Sequence, residues 1–212
     1  MSRIVLRRPG LRHRREEAIA LSGREIEIKL AVANAAYGRR LLDAAGFTVS
    51  TPRVFESNAL FDTAGGDLYA AGGLLRVRRA GDRGVLTYKG PPLPGKHKNR
   101  EELEVDVSDA DTLSEILDRL SLVVCFRYEK FRTEYRRPGE GGVATLDETP
   151  IGVYLELEGV PMWIDRTARR LGFRESAYIT ASYASLYERY CEKQGIQPSD
   201  MTFDSVPPPL TR

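Results

Sequence analysis

From Arg24 to Val32 charged and apolar residues alternate, the period of a β-strand whose two faces meet different surroundings. The pattern recurs at 74–79, 85–89, 100–107, 123–136, 143–147 and 153–158, and the stretch 47–62 predicts one or two further strands. Gly81-Asp82-Arg83-Gly84 separates two of these runs and predicts a tight hairpin turn. Asn34 can cap a helix that runs to about Ala45 and stops at Gly46, and Ser108 or Asp109 can cap another over 113–120. Residues 161–171 predict a short helix and 176–193 a long terminal one. Turns this short join strands antiparallel, so the expected class is α+β, with helices covering the apolar side of an antiparallel sheet.

What the alternation sorts is full charge. Glu25, Glu27 and Lys29 share one face of the first strand, and Ile26, Ile28 and Leu30 take the other. Arg76 and Arg78 flank Val77, and Thr87 and Lys89 flank Tyr88. Glu102, Glu104 and Asp106 interleave with Leu103, Val105 and Val107. Lys130, Arg132 and Glu134 alternate with Phe131 and Thr133, as Glu156 and Glu158 do with Leu155 and Leu157. A half-exposed sheet also turns polar residues outward, and for any single strand that is the simpler account. Here, however, like signs are grouped by strand, whereas a solvated face mixes signs to limit repulsion. If helices cover the apolar faces from outside, the charged faces look at one another across a closed barrel. Enclosed like charges are costly unless ligands neutralise them. Grouped carboxylates suit a hard divalent cation such as Mg2+ or Mn2+, and grouped Arg and Lys suit the oxygens of a polyanion. A metal-chelated polyphosphate asks for both.

Composition narrows the setting. At 212 residues and 42% hydrophobic content the chain can bury a core without disulfides or a structural metal. Cys125 and Cys191 have no metal-type spacing, and the apolar run around Cys125 predicts a buried thiol. With 32 basic and 30 acidic residues, the net charge says little about partners. Residues 1–23 carry Arg3, Arg7, Arg8, Arg12, Arg14 and Arg15 with little periodicity and are expected to form a flexible basic arm. Nucleic acid is not the expected partner of that arm. Residues 24–195 form the expected domain, and 196–212 an irregular tail. No secretory signal or membrane-length apolar run is seen, so a cytoplasmic protein without membrane partners is expected.

The ordered motifs resemble one family. Glu25-Ile26-Glu27-Ile28-Lys29 resembles the ExExK signature of the CYTH superfamily, the triphosphate tunnel metalloenzymes. Asn58 with Phe61-Asp62-Thr63, Leu75-Arg76-Val77-Arg78 and Leu86-Thr87-Tyr88-Lys89-Gly90 follow in the family's order. Arg100-Glu101-Glu102-Leu103-Glu104, Glu129-Lys130-Phe131-Arg132, Asp147 and Glu156-Leu157-Glu158 complete the set, which spans roughly 24–190. The resemblance implies a closed eight-stranded antiparallel β-barrel, the triphosphate tunnel, with helices packed outside. It implies metal binding by Glu25, Glu27, Glu156 and Glu158, with Asp147 and Glu104 nearby. Lys29, Arg76, Arg78, Lys89, Lys130 and Arg132 would grip phosphate oxygens. Glu27, Glu104 or Asp147 would orient the nucleophile. One departure stands out: Thr180 occupies a position before Ser182-Tyr183 where relatives often carry a basic residue.

The family includes class IV adenylate cyclases, thiamine triphosphatases and inorganic triphosphatases. The first reading is a Mg2+- or Mn2+-dependent phosphohydrolase acting on inorganic triphosphate, thiamine triphosphate or a nucleotide, since it needs no base-specific pocket. The alternatives are a class IV-type adenylate cyclase that converts ATP to cyclic AMP and pyrophosphate, and a non-catalytic polyphosphate or nucleotide sensor. A homodimer is compatible with each. Two other signals fail on chemistry. Residues 90–97 have phosphate-loop spacing, but Pro91, Pro92 and Pro94 remove the backbone N–H groups such a loop needs. That loop is expected at the tunnel mouth. His13 and His97 have no partners at zinc spacing. Tyr183, Tyr187 and Tyr190 fall at helical spacing and are read as packing residues.

Overall fold

The computed structural model describes residues 23–206. The arginine arm apart from Gly23 and the last six residues of the expected tail lie outside the described residues.

Eight strands form a closed barrel, namely β1 (Arg24–Val32), β2 (Thr48–Thr63), β3 (Leu74–Ala80), β4 (Arg83–Lys89), β5 (Lys98–Val107), β6 (Leu122–Arg136), β7 (Val143–Thr149) and β8 (Gly152–Glu158). The order around it is β1-β5-β4-β3-β2-β6-β7-β8, with every pairing antiparallel. Closure leaves no free sheet edge, and it turns the period-two alternation into an inside and an outside. Strands β2 and β6 pair over most of their length through three register shifts.

The helices are α1 (Ala35–Ala44), α2 (Asp67–Ala70), α3 (Ala110–Arg119), α4 (Pro161–Arg170) and α5 (Tyr183–Gln194). The Asn34 side chain caps α1 by accepting from Tyr37 N–H, and Asp109 caps α3 by accepting from the N–H groups of Asp111 and Thr112. Asp62 explains the Phe-Asp-Thr segment, since its carboxylate accepts from the N–H groups of Thr63, Leu68 and Tyr69 and closes the turn into α2.

The main core lies outside the barrel. Leu42 of α1 and Trp163, Ile164 and Ala168 of α4 pack on Ile28, Leu30, Leu146, Leu155 and Leu157. Each fully buried leucine or isoleucine contributes roughly 1.5–3 kcal/mol relative to exposure. Trp163 comes so close to the β6–β7 turn that a Cβ on Gly142 would sit 2.3 Å from its ring, so this position accepts only glycine. A smaller cluster joins α3 to β2, β3 and β6 through Leu117, Phe61 and Val77.

The strand expectations hold, the short helix α2 was not foreseen, and one helix expectation fails. Residues 176–193 do not form one helix. Glu175–Ala177 makes a 3-10 turn, the chain then runs extended, and α5 begins at Tyr183. The cause is tertiary, because Ile179 and Lys29 exchange backbone hydrogen bonds of 2.8 and 2.9 Å. Cys125 is exposed, since it sits on the outward face of β6, whereas Cys191 is buried. The proline-rich loop joins Lys89 to Lys98, both in the cavity wall, and is tied to α4, where Lys96 and His97 reach Asp165. Part of the expected tail is docked, with Met201 fully buried and paired to β6. Among the described residues no helix is long and apolar enough to cross a membrane.

Candidate active site

The inward face of the barrel surrounds a cavity of roughly 210 Å3. Fifteen of its 21 lining residues are charged, eight basic and seven acidic. Of the residues singled out in the sequence, Glu25, Glu27, Lys29, Arg76, Arg78, Lys89, Glu104, Lys130, Arg132, Glu156 and Glu158 all stand in this wall. Asp147 does not. It is fully buried behind the wall, where it accepts from Lys130 Nζ at 2.8 Å, from Arg132 Nε at 2.7 Å and from the Tyr183 hydroxyl at 2.8 Å. With its oxygens engaged this way, Asp147 sets the position of two bases.

The bases are held by carboxylates from neighbouring strands. Lys29 Nζ lies 2.9 Å from Glu27 and 3.3 Å from Glu156. Lys89 bridges Glu25 at 2.6 Å and Glu102 at 2.9 Å. Lys98 reaches Glu27 at 2.7 Å, and Arg100 reaches Glu25 at 3.1 Å. Arg76 and Arg78 share Glu104 at 3.3 and 3.2 Å, and Arg132 also contacts Glu156. Glu56 takes Arg78 at 3.3 Å and Lys130 at 3.5 Å. Burial alone would push these carboxyls up, and the adjacent ammonium and guanidinium groups overcome it. Glu56 falls to about 2 through Lys130, Arg132 and Arg78. Asp147 is held well below the usual range by Arg132 and Lys130. Glu27 is likewise depressed by Lys29 and Lys98.

Glu158 behaves oppositely. It pairs with Glu27 across β1 and β8, it is exposed at the rim, and it makes no ion pair with a described residue. Enclosure at the rim, then repulsion from Glu25, Glu27 and Glu102, raises it to about 8. Among the described residues no three carboxylates converge as a ready ligand set, because Glu25 and Glu27 are turned toward Lys89, Arg100, Lys29 and Lys98. An unpaired carboxylate beside others is nonetheless the donor chemistry of a hard divalent cation. Glu156 stands apart from this group, among Lys29 and Arg132.

Sequence reasoning did not assign Glu56, Lys98 or Arg100 to the site, and it read Tyr183 as packing alone, whereas Ser182–Ala184 also line the cavity. Lys98 and Arg100 lie in phase with Glu102 and Glu104 on β5, so extending that alternation by two steps would have found them. Glu56 is in phase with Asn58 in the stretch of β2 that pairs with β6 without a shift, but its other in-phase neighbour is Val54, so no grouping of charges marks it.

The CYTH domain model matches residues 23–161. The chain belongs to the CYTH domain family. A candidate adenylate cyclase of Methanocaldococcus jannaschii is 28% identical over 135 residues, 63% of this chain and 75% of that protein. A Pyrococcus horikoshii structure superposes with a TM-score of 0.66 at 26% identity, covering 78% of this chain and 99% of that one. A Hippeastrum candidate adenylyl cyclase, described as having a dominant triphosphatase activity, shares the fold at 21% identity with a TM-score of 0.57, covering 82% of this chain and 97% of that one. CYTH proteins are triphosphatases or adenylate cyclases, and residues 162–206, with α5, fall outside the matched segment.

Proposed function

We propose that this CYTH chain is a divalent-metal-dependent triphosphatase. The observation that carries the reading is the wall itself, in which eight bases and seven carboxylates enclose one small cavity. Such a lining answers a ligand made of charge, and inorganic triphosphate or a triphosphate monoester is that ligand. Glu25, Glu27 and Glu158 would hold the metal, with Glu102 and Glu156 on either side. A bound Mg2+ or Mn2+ would neutralise phosphate charge and polarise the phosphorus–oxygen bonds.

The protein's own part is positioning and electrostatics. Lys29, Arg76, Arg78, Lys89, Lys130 and Arg132 would exchange their carboxylate partners for phosphate oxygens. Glu27, kept ionised by its lysines, would orient water toward the terminal phosphorus. Attack forms one P–O bond and breaks the bond to the bridging oxygen. The water proton passes to a carboxylate or to solvent, and phosphate and a diphosphate leave.

The name of the Methanocaldococcus relative favours a second reading, in which a ribose 3′-hydroxyl attacks the α-phosphorus of ATP. Incubation of the full chain with Mg2+ or Mn2+ and either triphosphate or ATP separates the two. Free phosphate without cyclic AMP is expected. Cyclic AMP appearing with pyrophosphate would replace the hydrolase by the cyclase, and tight binding without turnover under both metals would leave a sensor.

A further inference from the structure

The wall beside β1 is made of two pieces. On its β5 side Glu27 stands opposite Lys98, the first residue of β5, and Lys29 stands opposite Ile179. The segment leading to α5 thus takes over where β5 stops, and a seam lies between Glu27 and Lys29. His97 and Tyr178 each precede one of the residues paired to β1 there. Both meet one carboxylate. Asp165 of α4 accepts from His97 Nε2 at 2.8 Å and from the Tyr178 hydroxyl at 3.1 Å. Lys96 Nζ adds a contact to Asp165 at 2.9 Å and one to Glu175 at 3.2 Å. Burial would raise the Asp165 carboxyl, and the bonds from Lys96, His97 and Tyr178 keep it below its usual value. Asp165 follows Ile164, which is fully buried in the main core, so the carboxylate is carried by a helix that the core holds in place.

Both sides of the seam act on Glu27. Lys98 Nζ donates to Glu27 Oε1 at 2.7 Å, and Lys29 Nζ donates to the same oxygen at 2.9 Å. Lys98 adjoins His97 in the chain. The Lys29 backbone exchanges hydrogen bonds with Ile179, which adjoins Tyr178. With Oε1 gripped twice, Oε2 is the oxygen left for water or a cation. A group that aims a reactant needs support of its own, since a misplacement of about 1 Å can cost about a hundredfold in rate.

We propose that Asp165 is a positioning residue: by clasping His97 and Tyr178 across the seam, it holds Lys98 and Lys29 on Glu27 and so sets the aim of that carboxylate. The inference rests on the reading in which Glu27 orients the attacking water, and adds the device that keeps Glu27 aimed. Asp165 lies on α4, outside the barrel, and acts only through the two lysines.

The test uses Asp165→Ala in the full chain, a change that removes all three bonds and suits a helix. Amide hydrogen exchange without ligand reads the seam. Exchange at Lys29 and Ile179 should quicken by at least about tenfold while β3 and β4 keep their rates. Unchanged exchange at that pair, or an equal rise over the whole barrel, overturns the clasp. Turnover of triphosphate at saturating Mg2+ is then compared in the parent, Asp165→Ala, Lys98→Met and the double variant. Asp165→Ala should lower kcat about tenfold or more, but only about threefold or less when Lys98, through which it acts, is already gone. The same factor in both backgrounds, or no loss in either, overturns the positioning role and leaves the hydrolase reading standing. A parent without turnover removes that reading and this role with it. If Asp165→Ala does not fold, Tyr178→Phe, which keeps the ring and loses only the hydroxyl, takes its place in both measurements.

Discussion

Glu56 shows what one side chain contributes to a wall of bases. It is buried between Arg78 and Lys130, so in the ligand-free barrel it supplies charge that a phosphate would otherwise bring. Burial works against its ionisation, yet its neighbours hold it near 2, against an ordinary value of 4.5. A carboxyl with a depressed folded value stabilises the fold above its unfolded value and loses that contribution as pH falls through the folded one. Glu56→Gln should therefore cost on the order of 2–3 kcal/mol at neutral pH. Its deficit against the parent should shrink as pH falls from about 4.5 toward about 2. Urea titrations of both proteins across that range measure it, and a deficit independent of pH would remove Glu56 from this role. The residue was invisible in the sequence for a physical reason. Its in-phase neighbours on β2 are Val54 and Asn58, so the grouping of like charges that marked the inward faces of the other strands is absent there.

At the scale of elements, α5 differs most from expectation. The composition of 176–193 suits a helix throughout, but helix propensity is a weak prior that tertiary pairing overrides, and the exchange of hydrogen bonds with Lys29 keeps Ile179 extended. Ser182 then becomes the N-cap, its hydroxyl accepting from Ser185 N–H at 3.1 Å. This start places Tyr183 inside the barrel end, where a helix begun at 176 would carry it past. Ser182→Ala removes the cap and should cost about 1 kcal/mol. Ser182→Asp keeps a good cap but adds a carboxylate to the cavity wall. Its stability should approach the parent's while its affinity for triphosphate falls. Thermal melts with calorimetry on both variants check this, and an Asp variant that binds triphosphate as tightly as the parent would show that the α5 turn does not face the ligand. The loop at 90–97 is a related case. Its prolines ruled out a phosphate cradle from the sequence alone, but its anchor on Asp165 is a contact between distant segments that no local pattern encodes.

The whole barrel is an arrangement of internal counter-ions. The inside and outside of the sheet were readable because closure maps them onto a period of two, and the identity of each ion pair was not, because pairing across strands depends on register. Every phosphate-binding base named here already has a carboxylate partner. Ligand binding is therefore an exchange. Triphosphate releases carboxylates as it captures bases, and the released carboxylates, with the unpaired Glu158, become donors for a cation. Either ligand alone leaves half of the wall uncompensated, and breaking an enclosed pair without replacing the lost partner is costly. Metal and triphosphate should therefore bind with positive coupling. At concentrations about a hundredfold above dissociation constants, the pair together should raise the melting temperature by roughly 5–10 °C. That rise should exceed the sum of the shifts given by Mg2+ alone and by triphosphate alone. Differential scanning calorimetry of the four conditions measures the three shifts directly, and shifts that simply add would mean that the cation and the anion do not meet inside the same wall.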